Sequence, residues 1–165
     1  MTTNKEMPTT MHVEMKNYKR ITGHDGMGFE ASLYLNGKRE AVVVDHANGG
    51  EFMYHPVSKS SMKKIRMFQK MCQSLPPYQS QYGELPMNAD LWIENNLIQK
   101  ADAKSTANGK LVFYDPVSNN VFNTTWKWAN AKKDLDEVKR WFASQDYPLA
   151  EIINGNPVDA IITLD

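Results

Sequence analysis

Two glycine-bearing reversals, set close together, constrain this chain more than anything else in it. In GFEASLYLNGKREAVVVDHANGGEFMYHPV, residues 28–57, Asn36-Gly37 and Gly49-Gly50 separate three runs of β-favouring residues. Asn-Gly suits a two-residue type I′ turn, where both central residues need positive φ and the turn twist matches the strand twist. The spacing predicts a three-stranded antiparallel meander over 28–57. With Leu35 paired to Lys38, Leu33 falls opposite Glu40, Ala31 opposite Val42 and Phe29 opposite Val44. Directly opposed residues share a face, so Phe29, Ala31, Leu33, Leu35, Val42 and Val44 form the buried side. Glu30, Ser32, Tyr34, Arg39, Val43 and Asp45 form the other. Glu40 intrudes on the oily face and marks the place for a bulge or a one-residue slip, which would exchange side chains between faces.

The Gly49-Gly50 turn pairs Asn48 with Glu51, His46 with Met53 and Val44 with His55. That register gathers His24, Asp25, Asp45, His46, Asn48 and His55 at one end of the sheet. His46 and His55 then share the face of Val44 and Met53, and Asp45 points to the other side. One reading is a ligand- or partner-binding or acid–base site, because histidine changes charge near neutral pH and an aspartate can orient its ring. The other is turn and strand-end chemistry, for which Asp-Gly, Asn-Gly and Gly-Gly are the usual residues. A single cysteine and no paired-Cys or HExxH pattern argue against a metal. No phosphate-cradling or dinucleotide glycine pattern and no nucleophile elbow occur, so neither a cofactor nor a catalytic residue is assigned.

A length of 165 residues suits one domain, residues 1–165, with 1–14 flexible at its start. Lysine plus arginine and aspartate plus glutamate both number 19, so no global charge drives the chain toward nucleic acid or membrane. Cys72 is the only cysteine, which excludes an internal disulfide and favours a reducing, cytoplasmic setting. No apolar run approaches a membrane span, and the first residues lack a signal peptide's hydrophobic core.

The remaining elements follow from periodicity. Met15–Ile21 predicts an edge strand ahead of the meander. Ser58 predicts the N-cap of a helix from Lys59 to Ser74, with Ile65, Phe68, Met71, Cys72 and Leu75 on one side and Lys63, Arg66 and Lys70 on the other. Residues 75–86, LPPYQSQYGELP, read as a long loop whose Tyr78 and Tyr82 offer a contact surface or fold back as a lid. Asn88 predicts the cap of a helix to Thr106 that turns Ile93, Leu97, Ile98 and Ala101 inward and leaves Trp92 off that face. Strands are expected at Lys110–Tyr114 and Val121–Trp128, and a helix at Asn130–Gln145 with Ala131, Leu135, Val138 and Phe142 as its stripe. Two short strands are expected around Asn154-Gly155. Trp126, Trp128, Lys132 and Lys133, with the Lys63, Arg66, Lys70 stripe, allow a nucleic-acid reading through stacking and phosphate contacts. Core tryptophans beside solvated lysines explain the same residues. Strands and helices come in runs, which gives an α+β fold: a largely antiparallel sheet with about three helices packed on one face.

The stretch with YLNGK, then Asp45-x-x-Asn48-Gly49-Gly50, then Tyr54-His55 resembles the opening domain of small proteins of bacteriophages and prophage-bearing bacteria. The resemblance covers about a fifth of the chain. It implies a small product acting in the host cytoplasm, with no defined reaction, that works by binding a host protein and inhibiting a defence or metabolic function. The expected class is therefore a non-enzymatic interaction protein, with oligomeric state open. Nucleic-acid binding and a small-ligand site or enzyme at the histidine cluster stand as the alternatives.

Overall fold

A long first strand precedes the meander and adds a fourth strand to it. In the computed structural model, which describes residues 7–165, β1 (Thr10–Gly23) pairs antiparallel with β2 (Gly26–Leu35). The meander continues through β3 (Lys38–Asp45) and β4 (Met53–Pro56), and the sheet runs β10-β1-β2-β3-β4, with β10 spanning Val158–Thr163. The strand expected at an edge is thus internal, and residues 10–14 of the segment expected to be flexible are strand. Residues 1–6 lie outside the described residues.

Within the β2–β3 hairpin the register departs from the expected one at a single place. Leu35 pairs with Lys38 and Tyr34 with Arg39, but Leu33 pairs with Ala41, Ala31 with Val43 and Phe29 with Asp45. Glu40 is the extra residue. Glu40 and Ala41 are both buried, the mark of a bulge that turns two consecutive residues inward. Val43 consequently moves into the core, with Phe29, Ala31 and Leu33, and Val42 leaves it. Asn36 and Gly37 carry φ of 51° and 85°, as the tight turn requires.

Helix α1 (Ser61–Gln73) contacts β3 and β4, burying Ile65, Phe68, Met71 and Cys72. Next comes a hairpin of β5 (Tyr78–Ser80) and β6 (Gly83–Leu85), so the expected loop contains its own short ladder. Asn88 caps α2 (Ala89–Ile93) through its side-chain oxygen, which accepts the Leu91 N–H at 2.8 Å. Trp92 is buried and meets Phe68 edge-on, ring centroids 5.8 Å apart, which explains its place off the expected apolar face. A π-helical stretch, Glu94–Ile98, leads into α3 (Gln99–Ser105), and Asn108 and Gly109 follow with positive φ.

The rest forms a three-stranded sheet in the order β8-β7-β9, with β7 at Lys110–Asp115, β8 at Asn120–Lys127 and β9 at Glu151–Ile152. Leu111 and Phe113 pack with Ala131, Val138 and Phe142 of α4 (Trp128–Ala131) and α5 (Leu135–Ser144). Val112, of opposite parity, packs with Ala103 of α3 and Ile153, so this small sheet is covered on both faces. The helix expected from Asn130 is broken at Lys132–Asp134. Asp134 caps the second piece by accepting the Glu137 N–H at 3.1 Å, and a side-chain oxygen so placed starts a helix afresh.

The fold is α+β with a mainly antiparallel five-stranded sheet. The described residues divide into two compact units: 7–97 with Asp159–Asp165, and Ile98–Val158. Among the described residues no helix is long and apolar enough to cross a membrane.

Candidate functional site: a lysine-rimmed pocket

A concavity lies where the β2–β3 turn meets the start of α1. The Asn36 backbone N–H donates to the His12 carbonyl at 2.8 Å, and the Asn36 side-chain oxygen accepts the His12 N–H at 3.0 Å. These bonds fix the turn against β1, beside Met11. On the other side, Ser60 stands at the N-cap of α1 without a side-chain capping bond, and no acidic residue occupies the first turn. Ser58 Oγ instead lies 3.0 Å from Ser60 Oγ and 2.9 Å from Ser61 Oγ. Lys63 and Lys64 hold the positions where the positive end of the helix dipole disfavours cations.

With Lys38 and Lys59 they line an open pocket of about 870 Å³. Its apolar lining comes from Pro8, Met11, Leu35 and Met67, and Asn36 and Ser60 complete the polar part. The volume falls within the roughly 300–1,000 Å³ typical of ligand sites. Four cations and an uncapped helix start around an apolar base are suited to an anion that carries an apolar group.

Glu40 lies at 0% exposure against two of these lysines. Its Oε1 is 3.3 Å from Lys64 Nζ and 4.0 Å from Lys38 Nζ. Its Oε2 is buried and has no hydrogen-bond partner among the described residues. The bulge therefore carries a carboxylate into the core, and the pocket's own lysines neutralise it there.

The histidine-rich end is assembled in part. The Asp25 N–H donates to the Ala47 carbonyl at 2.7 Å, which places the His24-Asp25 turn against the segment after β3. Asp45, His46 and Asn48 belong to that same segment. The side chains mostly serve the turn: Asp45 accepts the Ala47 N–H at 3.0 Å and Asn48 the Gly50 N–H at 3.3 Å. His24, His46 and His55 are all exposed. His55 pairs with Val42, not Val44, because the β3–β4 connection is longer than a tight Gly49-Gly50 turn. That moves it two rungs, about 7 Å, farther along the sheet. It shares a face with Val42, Val44 and Met53, whereas His46 lies past the end of β3. No group of three or more His, Cys, Asp or Glu residues suited to a metal occurs among the described residues.

The fourth histidine has a carboxylate within hydrogen-bond distance. His12 Nε2 lies 2.8 Å from Asp159 Oδ2, joining β1 to β10. Tyr82 projects from the tip of the β5–β6 hairpin at 91% exposure, whereas Tyr78 is half-buried within it. Lys63, Arg66 and Lys70 are exposed on α1 as expected, but only Lys63 reaches the pocket. Trp126 and Trp128 are half-buried against the Leu111–Phe113 core, and Trp126 meets Trp141 edge-on at 6.1 Å. Lys132 and Lys133 are exposed in the break between α4 and α5. The basic helix stripe and the Trp/Lys segment belong to different units.

Other polar groups have structural tasks. Tyr54 Oη donates to Asp90 Oδ1 at 2.7 Å, and the Phe52 N–H donates to Asp90 Oδ2 at 3.0 Å. Burial, then the Asp90 hydrogen bond and charge, raise the Tyr54 hydroxyl's pKa. Burial pushes the Cys72 thiol up to about 12, which fits an inert packed thiol. The Ser118 hydroxyl, assisted by the Val117 and Ser118 N–H groups, lowers the Asp115 carboxyl, and burial raises Tyr114. Lys38, Lys59, Lys64 and Glu40 were absent from the sequence-derived candidates. The signal available for them was lysines crowded into KSSMKK at a helix start and a glutamate on an oily strand face.

Comparison with protein-family models, with curated proteins and with solved structures gives no match for this chain.

Proposed function

We propose that this protein is a non-enzymatic interaction protein of the bacteriophage type, acting in the cytoplasm by binding an acidic host protein at the lysine-rimmed pocket. One observation carries the reading: Lys38, Lys59, Lys63 and Lys64 surround an apolar-lined concavity of about 870 Å³ in a chain of zero net charge. A balanced overall charge makes this local concentration of cations a directed feature, one that steers and orients an acidic partner. Nucleic acid is the weaker fit. Among the described residues no aromatic side chain lines the pocket, so unpaired bases have nothing there to stack on, and Trp126 and Trp128 contribute to a hydrophobic core.

The test is affinity capture from bacterial host lysate with the wild type and with a K59E/K63E variant, each at low and high salt. The reading expects a stoichiometric acidic protein that the wild type retains, the variant loses and high salt releases. Equal recovery by both proteins, or no stoichiometric partner, counts against it.

A further inference from the structure

We infer that the pocket takes a peptide segment in which an apolar residue lies between carboxylates, and that Glu40 is an internal counterion limiting how tightly that segment binds; this rests on the pocket being the partner site. The apolar part of the lining, Met11, Leu35 and Met67, offers a base for one aliphatic side chain, and methionine adapts its shape to what it meets. The cations around it are all lysines. Lysines act as point charges toward carboxylate and phosphate alike, so the choice of a carboxylate rests on the acid that already faces two of them.

The chain itself supplies the precedent for a carboxylate. Glu40 Oε1 already faces Lys64 at 3.3 Å and Lys38 at 4.0 Å. Those two lysines are thus partly neutralised by the chain itself, whereas Lys59 and Lys63 make no ion pair among the described residues and are the ones left to an incoming anion. An arriving carboxylate that approaches Lys64 competes with Glu40 for it. The fully buried glutamate cannot swing into solvent to make room. It is therefore a specificity-determining residue: it reserves part of the rim and favours ligands whose charges match Lys59 and Lys63.

The experiment measures fluorescence anisotropy of a fluorescein-labelled peptide of alternating glutamate and leucine residues, titrated with the full-length protein. The wild type should bind at low salt, and K59E/K63E should lose about tenfold or more in affinity. E40Q, which keeps the shape and removes the charge, should bind about two- to fivefold tighter, the range of one partly exposed ion pair. Should E40Q fail to fold by circular dichroism, K63Q and K64Q replace it. K63Q must then weaken binding more than K64Q, because Glu40 already engages Lys64. Oligo-deoxythymidylate and inorganic phosphate serve as competitors and should displace the peptide less well than its unlabelled form.

No binding by the wild type at low salt overturns the partner-site reading itself. Binding with E40Q equal to or weaker than wild type overturns the counterion role alone, as does a larger loss in K64Q than in K63Q. Stronger displacement by the oligonucleotide or by phosphate assigns the pocket to phosphate chemistry and overturns the acidic peptide.

Discussion

Replacing Asp90 with alanine tests the packing that holds β4 against α2 and, through it, the wall of the pocket. Asp90 accepts two hydrogen bonds, from the Tyr54 hydroxyl at 2.7 Å and the Phe52 N–H at 3.0 Å. Its neighbour Trp92 packs edge-on against Phe68 of α1, the helix that carries Lys63 and Lys64. Asp90→Ala strands both donors. Each stranded donor costs about 1–3 kcal/mol when fully buried, and these part-buried ones fall near the lower end, so roughly 2–3 kcal/mol is lost. Loss of a negative charge in the first helical turn adds about 0.3–1 kcal/mol.

The expected total is about 2–4 kcal/mol, read as a lower urea midpoint at unchanged slope by tryptophan fluorescence. Tyr54→Phe should cost about 1 kcal/mol, and the double variant should show coupling of at least about 0.5 kcal/mol. The alkaline limb gives an independent check. Tyr54 has a folded-state pKa raised above the ordinary 10.0, so its stabilising contribution is complete below that pH and declines as pH rises beyond it. Tyr54→Phe should flatten that decline. An Asp90→Ala loss below about 1 kcal/mol, or additive variants, would refute the clamp.

Three further outcomes follow from the same structure. Asp115 is held below its ordinary carboxyl pKa of 3.8 by Ser118, so its contribution is present above that value and is lost as pH falls through the lower folded one; Asp115→Ala should destabilise the protein at neutral pH and reduce its sensitivity to acid in urea titrations. Cys72, buried and raised to about 12, should resist a disulfide reagent at mildly alkaline pH until denaturant is added, and prompt labelling of the native protein would contradict its packing. A Cβ at Gly28 would overlap the Asp45 carbonyl oxygen, so Gly28→Ala should cost at least the roughly 1–3 kcal/mol of an overpacked core, and a stable variant by thermal melting would contradict the close strand approach.

Local chemistry was the part of this fold that the residue order expressed well. Asn36-Gly37 specified its turn, Asn88 its cap, and the Ile65, Phe68, Met71, Cys72 spacing its buried face, because each depends on neighbours within a few positions. Events decided by distant partners were not legible. Glu40 was visible as a misfit, but its place in the bulge is met by a distant partner, Lys64 of α1, which local sequence does not reveal. Trp92 pointed off its helix's apolar face until Phe68 supplied a partner. The final strands sit around Asn154-Gly155 as expected, yet β9 joins one sheet and β10 the other, a choice no local signal encodes. The candidate site shows the same limit. The histidines attracted notice by residue type, whereas the pocket arises from ordinary lysines on β3, on α1 and on the connection before α1 that meet only in three dimensions.

Amide chemical-shift mapping of the labelled protein, titrated with the glutamate–leucine peptide, tests the central claim most directly. The pocket account predicts saturable shifts clustered at Met11, Leu35, Lys38, Lys59, Lys63 and Lys64 that vanish in K59E/K63E. Shifts centred on His24 and His46, on Trp126 and Lys132, or nowhere at stoichiometric excess would contradict it.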